Sequence, residues 1–223
     1  MSEFAARFLS VAPSIVTIVC FLSPLKTVRR IRNERSVGKL PILPFLTLFV
    51  NCAIWLAYGV CKTDYTVIVP NALGLVMGFV YTFVYVMYCK SGNTSVRNNF
   101  LVAFLVVLYL MYRWTFSPSH ECGVFGSFGA FSSVLLGFSP LAAILTVIQD
   151  KSVASMPFLT SFSLFISAVL WTSYGYYVAR DYYIWAPNSL GVIAGSLQML
   201  CHLRFNDSCR VGGVRKGDVL PQL

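Results

Sequence analysis

Charge is scarce in this chain, and acidic charge is scarcest. Only 11% of its 223 residues are Asp, Glu, Lys or Arg, while 57% are hydrophobic and the mean hydropathy is +0.72. A soluble domain carries about 25% charged residues, so the composition excludes one, and apolar runs of about 20 residues recur along the chain. The eight acids are Glu3, Glu34, Asp64, Glu121, Asp150, Asp181, Asp207 and Asp218, all in loops, tails or the ends of apolar runs. Proton-coupled carriers usually keep a carboxylate mid-membrane; none is placed there. Histidine is rare too: His120 and His202 stand far apart, which argues against a metal site. Seven cysteines form no C-x-x-C pair; Cys20, Cys52, Cys89 and Cys201 fall inside apolar runs, Cys61 and Cys122 at their edges. Neither a disulfide framework nor a zinc site follows, and the expected role is that of small buried hydrophobes. G-x-G-x-x-G, P-loop and H-E-x-x-H patterns are missing, so neither an enzyme nor a cofactor is expected. A cleavable signal pattern is missing as well: the first apolar run has only Arg7 before it and is of full spanning length, which reads as a retained helix.

What the chain does have is seven apolar runs, approximately 8–25, 42–61, 65–89, 100–116, 123–148, 156–178 and 182–203. At 1.5 Å per residue each can span about 30 Å of hydrocarbon. The expected fold is an all-α integral membrane protein with seven transmembrane helices. Lys and Arg set its orientation. Lys26, Arg29, Arg30, Arg32, Arg35, Lys39, Lys90, Arg97, Lys151, Arg204, Arg210, Arg215 and Lys216 fall on one side, and only Arg7, Lys62, Arg113 and Arg180 on the other. The N-terminus is therefore expected outside or in a lumen, and the C-terminus in the cytosol, in a plasma membrane or an endomembrane. The basic run after the first span adjoins a helix, so it reads as a topology signal in contact with anionic headgroups rather than as a nucleic-acid site. The sequons at Asn93 and Asn206 fall on the cytosolic side and are expected to stay unglycosylated.

One passage occurs twice. Trp55-x-x-Tyr58-Gly59 is followed by Pro70-Asn71-x-Leu73-Gly74-x-x-x-Gly78, and Trp171-x-x-Tyr174-Gly175 by Pro187-Asn188-x-Leu190-Gly191-x-x-x-Gly195. Ser23-Pro24-Leu25 and Ser36-Val37 recur as Ser139-Pro140-Leu141 and Ser152-Val153, 116 residues later. The offset becomes 117 at Pro70 and Pro187, so one residue is gained between spans 6 and 7. Spans 1–3 are thus repeated as spans 5–7. A three-span unit ends on the side opposite its start, so a parallel second copy needs one further crossing, which span 4 supplies. The expected organisation is a first three-helix repeat at 1–90, a linker helix with its flanks at 91–121, a second repeat at 122–204 and a short cytosolic tail at 205–223. Two parallel units enclose a path between them.

The 3+1+3 arrangement, Ser-Pro in spans 1 and 5, Trp-x-x-Tyr-Gly in spans 2 and 6 and Asn in spans 3 and 7 resemble the SWEET (MtN3/saliva) family of sugar transporters over about residues 8–204. Each motif alone is weak; their paired occurrence in order is specific. The resemblance implies a bidirectional carrier of a small sugar, with Asn71, Asn188, Trp55 and Trp171 in the pocket. An Asn amide in hydrocarbon must be paired. It either ties helices together or meets sugar hydroxyls, for which it has both donors and acceptors. Trp55 and Trp171 either belong to an interfacial belt or lie against the C–H face of a pyranose, as the family implies. Family members that take disaccharides tend to have smaller residues at the Trp positions, which leans toward a monosaccharide such as glucose.

Pro24, Pro140 and Pro157, with Pro44 or Pro41, resemble the family's proline tetrad at the cytosolic half. The internal offset pairs Pro41 with Pro157, whereas the family spacing to the following Trp favours Pro44. Proline frees a carbonyl and weakens a helix locally, so the four are expected as an inner gate or hinge. Pro70 and Pro187 are expected to loosen the helices at pocket level, and the glycine pairs to let helices approach. Tyr58 and Asp181 are candidate partners in an outer gate on the family pattern. Without a mid-membrane carboxylate the expected mode is uniport by alternating access, with sugar and membrane lipid as partners; assembly into a homo-oligomer stays open. A seven-helix receptor shares the span count but not the repeat. A related proline-glutamine-loop transporter of another solute typically carries Pro-Gln at the hinges, where this chain has Ser-Pro-Leu.

Overall fold

The computed structural model describes residues 1–89, 94–116, 122–154 and 156–205, with the side chains of residues 114, 116 and 137–140 left aside. The sequons at Asn93 and Asn206, and the tail beyond 205, lie outside the described residues. The described elements are helical: α1 (Glu3–Leu22), α2 (Leu25–Glu34), α3 (Leu43–Lys62), α4 (Tyr65–Tyr88), α5 (Thr94–Phe116), α6 (Cys122–Asp150), α7 (Phe158–Ser173) continued by a π turn (Tyr174–Val178), and α8 (Tyr182–Phe205). In space α4 packs against α1 and α3, and α8 against α6 and α7; the halves meet where α1 touches α7 and α3 touches α6. The linker helix α5 lies on α3 and α4 of the first half. Side chains turned away from these contacts are apolar: α1 exposes Phe4, Phe8, Val11, Ile15, Val19 and Leu22, a stripe at three- and four-residue spacing. Only a hydrocarbon solvent makes that face tolerable on a monomer of this size.

Six stretches are long and apolar enough to cross a membrane: Glu3–Glu34, Leu43–Lys62, Tyr65–Tyr88, Thr94–Arg113, Cys122–Asp150 and Phe158–Val178. The seventh expected span, α8, has the length, 24 residues or about 36 Å, but falls outside that group. Its polar residues explain the difference. Gln198 and His202 are buried, and the Ser189 and Ser196 hydroxyls donate back to the carbonyls of Trp185 and Val192, each at 2.8 Å. Polarity turned toward protein lowers the helix's average without exposing it to lipid.

The halves agree down to their irregular backbone. Among the described residues, the non-glycine positions with positive φ are Arg35, Thr63, Lys151 and Arg180. They form two pairs at the repeat offsets, Arg35 with Lys151 and Thr63 with Arg180, and each ends a helix. Gly38 N–H donates to Ser36 Oγ as Ala154 N–H does to Ser152 Oγ, and Leu40 N–H reaches Val37 O as Met156 N–H reaches Val153 O. Glycines allow the same close packing in both halves. A Cβ on Gly78 would lie 2.8 Å from the Phe49 backbone, and one on Gly195 would lie 2.8 Å from Phe165, its counterpart.

Two differences matter. Ser23 and Pro24 break α1 from α2, whereas α6 runs on through Ser139 and Pro140 for 29 residues. Pro24 has no N–H to continue the ladder. α2 then starts afresh with Val28 N–H on Pro24 O at 2.9 Å, burying Val28 and Ile31. The second difference is the extra residue of the second copy. Gly59 O accepts from Asp64 N–H at 2.8 Å, and Gly175 O from Asp181 N–H at 2.9 Å. The first turn spans four intervening residues, the second five. The π turn sits in that interval, with Ala179 N–H on Tyr174 O at 3.0 Å. A single inserted residue is thus absorbed as a π-bulge, and both turns deliver their Asp to the same place.

Candidate functional site

Proline shapes the helices that carry the site. Pro70 lies inside α4 and cannot bond the carbonyl four residues back, that of Thr66. Ser14 Oγ donates to that carbonyl at 2.7 Å, and Thr66 Oγ1 donates to Ser10 O at 2.9 Å. The freed carbonyl therefore clips α4 to α1. One residue further on, Asn71 Nδ2 donates to Val67 O at 2.8 Å; in α8, Asn188 Nδ2 donates to Ile184 O at 2.7 Å. Both amides bond within their own helix, not across helices. Because the partner is a carbonyl, the nitrogen faces it, and Oδ1 with one N–H remains to face elsewhere.

They face a cavity of about 200 Å³ between the halves, lined by Thr17 and Phe21 of α1, Asn51 and Trp55 of α3, Val67 and Asn71 of α4, Ser133 of α6, Ser167 and Trp171 of α7, and Ile184 and Asn188 of α8. Ten of these eleven fall into five pairs at the repeat offset: Thr17 with Ser133, Asn51 with Ser167, Trp55 with Trp171, Val67 with Ile184, Asn71 with Asn188. Phe21 alone lacks a counterpart among the described lining residues. None of the lining side chains is ionisable. The indoles are held alike against their tyrosines, Trp55 on Tyr58 with centroids 5.6 Å apart at 85° and Trp171 on Tyr174 at 5.9 Å and 83°. Polar bonds also cross between the halves here. Trp171 Nε1–H donates to Thr17 Oγ1 at 2.8 Å, and Ser132 Oγ–H is shared between Asn51 Oδ1 at 2.8 Å and Gly129 O at 2.9 Å.

One end of the cavity is closed by two reciprocal clasps. The Tyr58 hydroxyl donates to Asp181 Oδ2 of the other half. Tyr174 Oη, in turn, lies 2.7 Å from both Asp64 oxygens. The pairs are repeat equivalents, Tyr58 with Tyr174 and Asp64 with Asp181. Each Asp also caps its own helix: Asp64 Oδ1 accepts from Thr66 N–H and Val67 N–H, and Asp181 Oδ1 from Tyr183 N–H. The clasps differ in electrostatics. Asp181 is buried and carries Lys62 at 3.5 Å, with that ammonium 5.8 Å from the Tyr58 ring centroid. Asp64 is half-buried.

The structure thus brings Asn71, Asn188, Trp55 and Trp171 to one cavity and Tyr58 to Asp181. It does not bring the prolines there. Pro24 stands at the α1–α2 break, Pro44 in the first turn of α3 and Pro157 just before α7, the last two exposed. Pro41 precedes α3 and is exposed too. Pro140 lies in α6, and its side chain is outside the described residues. Sequence reasoning overlooked Thr17, Asn51, Ser133 and Ser167, and also the second clasp. The repeat offset held the signal, since it carries Tyr58 onto Tyr174 and Asp181 back onto Asp64.

Known proteins repeat this arrangement. A family profile described as "Sugar efflux transporter for intercellular exchange" matches residues 7–93 and again 123–209. The chain is 30% identical to "Sugar transporter SWEET1" of Rattus norvegicus, over 90% of this chain and 91% of that protein. It is 31% identical to "Bidirectional sugar transporter SWEET8" of Arabidopsis thaliana, over 91% and 89%. A solved structure of a eukaryotic SWEET transporter superposes with a TM-score of 0.76 at 26% identity, covering 92% of this chain and 98% of that one. The doubled match falls on the two halves whose paired residues build the cavity, and the chain belongs to the SWEET (MtN3/saliva) family.

Proposed function

We propose that this protein is a bidirectional uniporter of a monosaccharide-sized sugar, such as glucose, working by alternating access. The sugar transporters among its relatives support the sugar class. The observation that carries the reading is the cavity. It offers neutral donors and acceptors from both halves and an indole from each, and no ionisable group among its lining residues. Sugar hydroxyls are neutral and both donate and accept; two amides with free Oδ1 atoms match them. A volume of about 200 Å³ supports a single sugar ring rather than two. A lining without carboxylates leaves nothing to couple flux to a proton.

On the Lys/Arg distribution, the Tyr–Asp clasps lie at the outer or lumenal end, and the described conformation is closed there. Rocking the halves would exchange these clasps for a closure at the opposite end, near Pro24, Pro44, Pro140 and Pro157, where chain breaks and helix starts let the backbone bend. The test is flux of labelled hexose and sucrose into proteoliposomes of the purified protein. Hexose flux is expected without an ion gradient, with sucrose flux far smaller. Asn71→Ala and Asn188→Ala are each expected to cut hexose flux by an order of magnitude or more. Flux lost on dissipating a proton gradient would refute uniport; wild-type flux in both variants would refute the pocket.

A further inference from the structure

The α3–α6 contact between the halves is an antiparallel ladder. Asn51 meets Ser132, Trp55 packs on Gly129, and Tyr58 packs on Gly126, where an added Cβ would lie 2.8 Å from the Tyr58 ring. Each step moves three or four residues outward along α3 and three back along α6. The next step reaches Cys61, one turn beyond Tyr58, and Cys122, one turn before Gly126. Cys61 packs against the buried cluster that holds Tyr58 of α3 and Phe125 of α6, three residues from Cys122. Both cysteines are reduced and half-buried. The other half has nothing alike, since the repeat equivalents of Cys61 and Cys122 are Tyr177 and Ala6.

We propose that Cys61 and Cys122 form a redox latch, a disulfide that locks the clasp end shut. The inference rests on the alternating-access reading and on the clasp end facing the outside or a lumen, where disulfides persist. The oxidant is a small-molecule disulfide such as oxidised glutathione. One cysteine thiolate attacks it, forming a mixed disulfide and releasing one glutathione thiol. The second cysteine thiolate then attacks the protein sulfur of the mixed disulfide and releases the second. Two protein thiols are oxidised and one glutathione disulfide is reduced to two thiols. The product joins α3 of the first half to α6 of the second through an S–S bond of about 2.05 Å. Opening this end must part the halves; hydrogen-bonded clasps allow it by thermal motion, and a covalent bond does not.

The test uses the full chain in proteoliposomes, treated with oxidised glutathione and then with dithiothreitol. Peptide mapping by mass spectrometry reads the Cys61–Cys122 cross-link independently of transport. Hexose flux is expected to fall in proportion to the cross-linked fraction and to return on reduction. Cys61→Ala and Cys122→Ala are each expected to keep basal flux and lose the response. Failure of the cross-link to form would overturn the proposal, as would a cross-link that leaves flux unchanged, or inhibition that persists in both variants. A protein that forms the cross-link on oxidation but carries no hexose when reduced would instead overturn the sugar-uniport reading.

Discussion

Replacing Tyr174 or Tyr58 with Phe deletes one hydroxyl and leaves the ring packing in place, so each change probes one clasp. A hydrogen bond to a charged acceptor contributes ~1.5–3 kcal/mol. For Tyr174 the lower figure applies. Asp64 is half-buried, keeps its helix-capping bonds from Thr66 and Val67, and can take up water when the hydroxyl goes. For Tyr58 the upper figure applies, because Asp181 is buried and water does not readily replace the lost donor. Lys62 at 3.5 Å remains as partial compensation. The clasps exist only when this end is closed, so each loss transfers directly to the open–closed equilibrium. Tyr174→Phe is expected to shift it toward open by about tenfold, and Tyr58→Phe by up to about 150-fold.

Electron–electron distance measurements read that equilibrium. Tyr65 and Tyr182 are exposed repeat equivalents at the clasp end of α4 and α8, and spin labels there belong to opposite halves. In a background with the native cysteines replaced, the longer distance is expected to gain population in the order wild type, Tyr174→Phe, Tyr58→Phe. The clasps share no acceptor, so the double variant is expected within about 0.5 kcal/mol of the sum. Wild-type distances and flux in Tyr174→Phe would remove the Asp64 clasp from the closure. A larger effect of Tyr174→Phe than of Tyr58→Phe would refute the argument from burial.

Three further outcomes follow from the packing. Gly78→Ala drives a methyl into the Phe49 backbone at 2.8 Å and is expected to cost about 1–3 kcal/mol. Gly123→Ala meets only Tyr183 Oη at 3.5 Å and is expected to be neutral; thermal unfolding in detergent compares the two. Thr17→Val removes the acceptor of the Trp171 indole N–H, a bond worth ~0.5–1.5 kcal/mol. It is expected to raise the half-saturating sugar concentration two- to tenfold with little change in maximal flux. Deleting Tyr177, an exposed residue of the π turn, gives the second copy the same turn length as the first. Folding and flux are expected to survive, and lost expression or flux would show that the bulge is required.

The repeat made most of this fold legible, because it appears in residue identities that survive duplication. Trp-x-x-Tyr-Gly, Pro-Asn and the paired glycines sit where one side chain or none fits, so both copies kept them. The cavity's remaining polar lining was harder to see. Thr17 against Ser133 and Asn51 against Ser167 match in position but not in identity, and a single Ser or Thr in an apolar helix bonds back to its own backbone as readily as it lines a cavity. The α1–α2 break and the unbroken α6 were not legible, since the same Ser-Pro-Leu stands in both. α2 is a strongly basic segment whose Val28 and Ile31 are buried, whereas α6 continues through residues apolar almost throughout to Asp150. Tertiary context decides there, not the proline. The seventh span sat at the edge of legibility for a related reason: average hydropathy counts Asn188, Gln198 and His202 against α8 although they point into the protein.

The departures from symmetry cluster between clasp and cavity, and that placement has a mechanical consequence. Lys62 has no cationic counterpart in the second copy, and the π turn replaces an ordinary helix end beside Tyr174. One clasp is thus a buried tyrosine and carboxylate with an exposed ammonium 3.5 Å from the carboxylate, the other a single hydroxyl on a half-buried carboxylate. Two-fold related interfaces of equal strength would part together. These are unequal, so under the proposed alternating access the Asp64–Tyr174 side is expected to yield first, with the Tyr58–Asp181 side as the pivot. The cavity is biased the same way. Asn51 of the first half is matched by Ser167 in the second, and Phe21 lines the cavity from the first half, so a sugar in the proposed pocket would meet an amide from one half and a short hydroxyl from the other. A sugar ring in the proposed pocket is then expected to take one preferred orientation even though Asn71 and Asn188 offer the same chemistry from both halves.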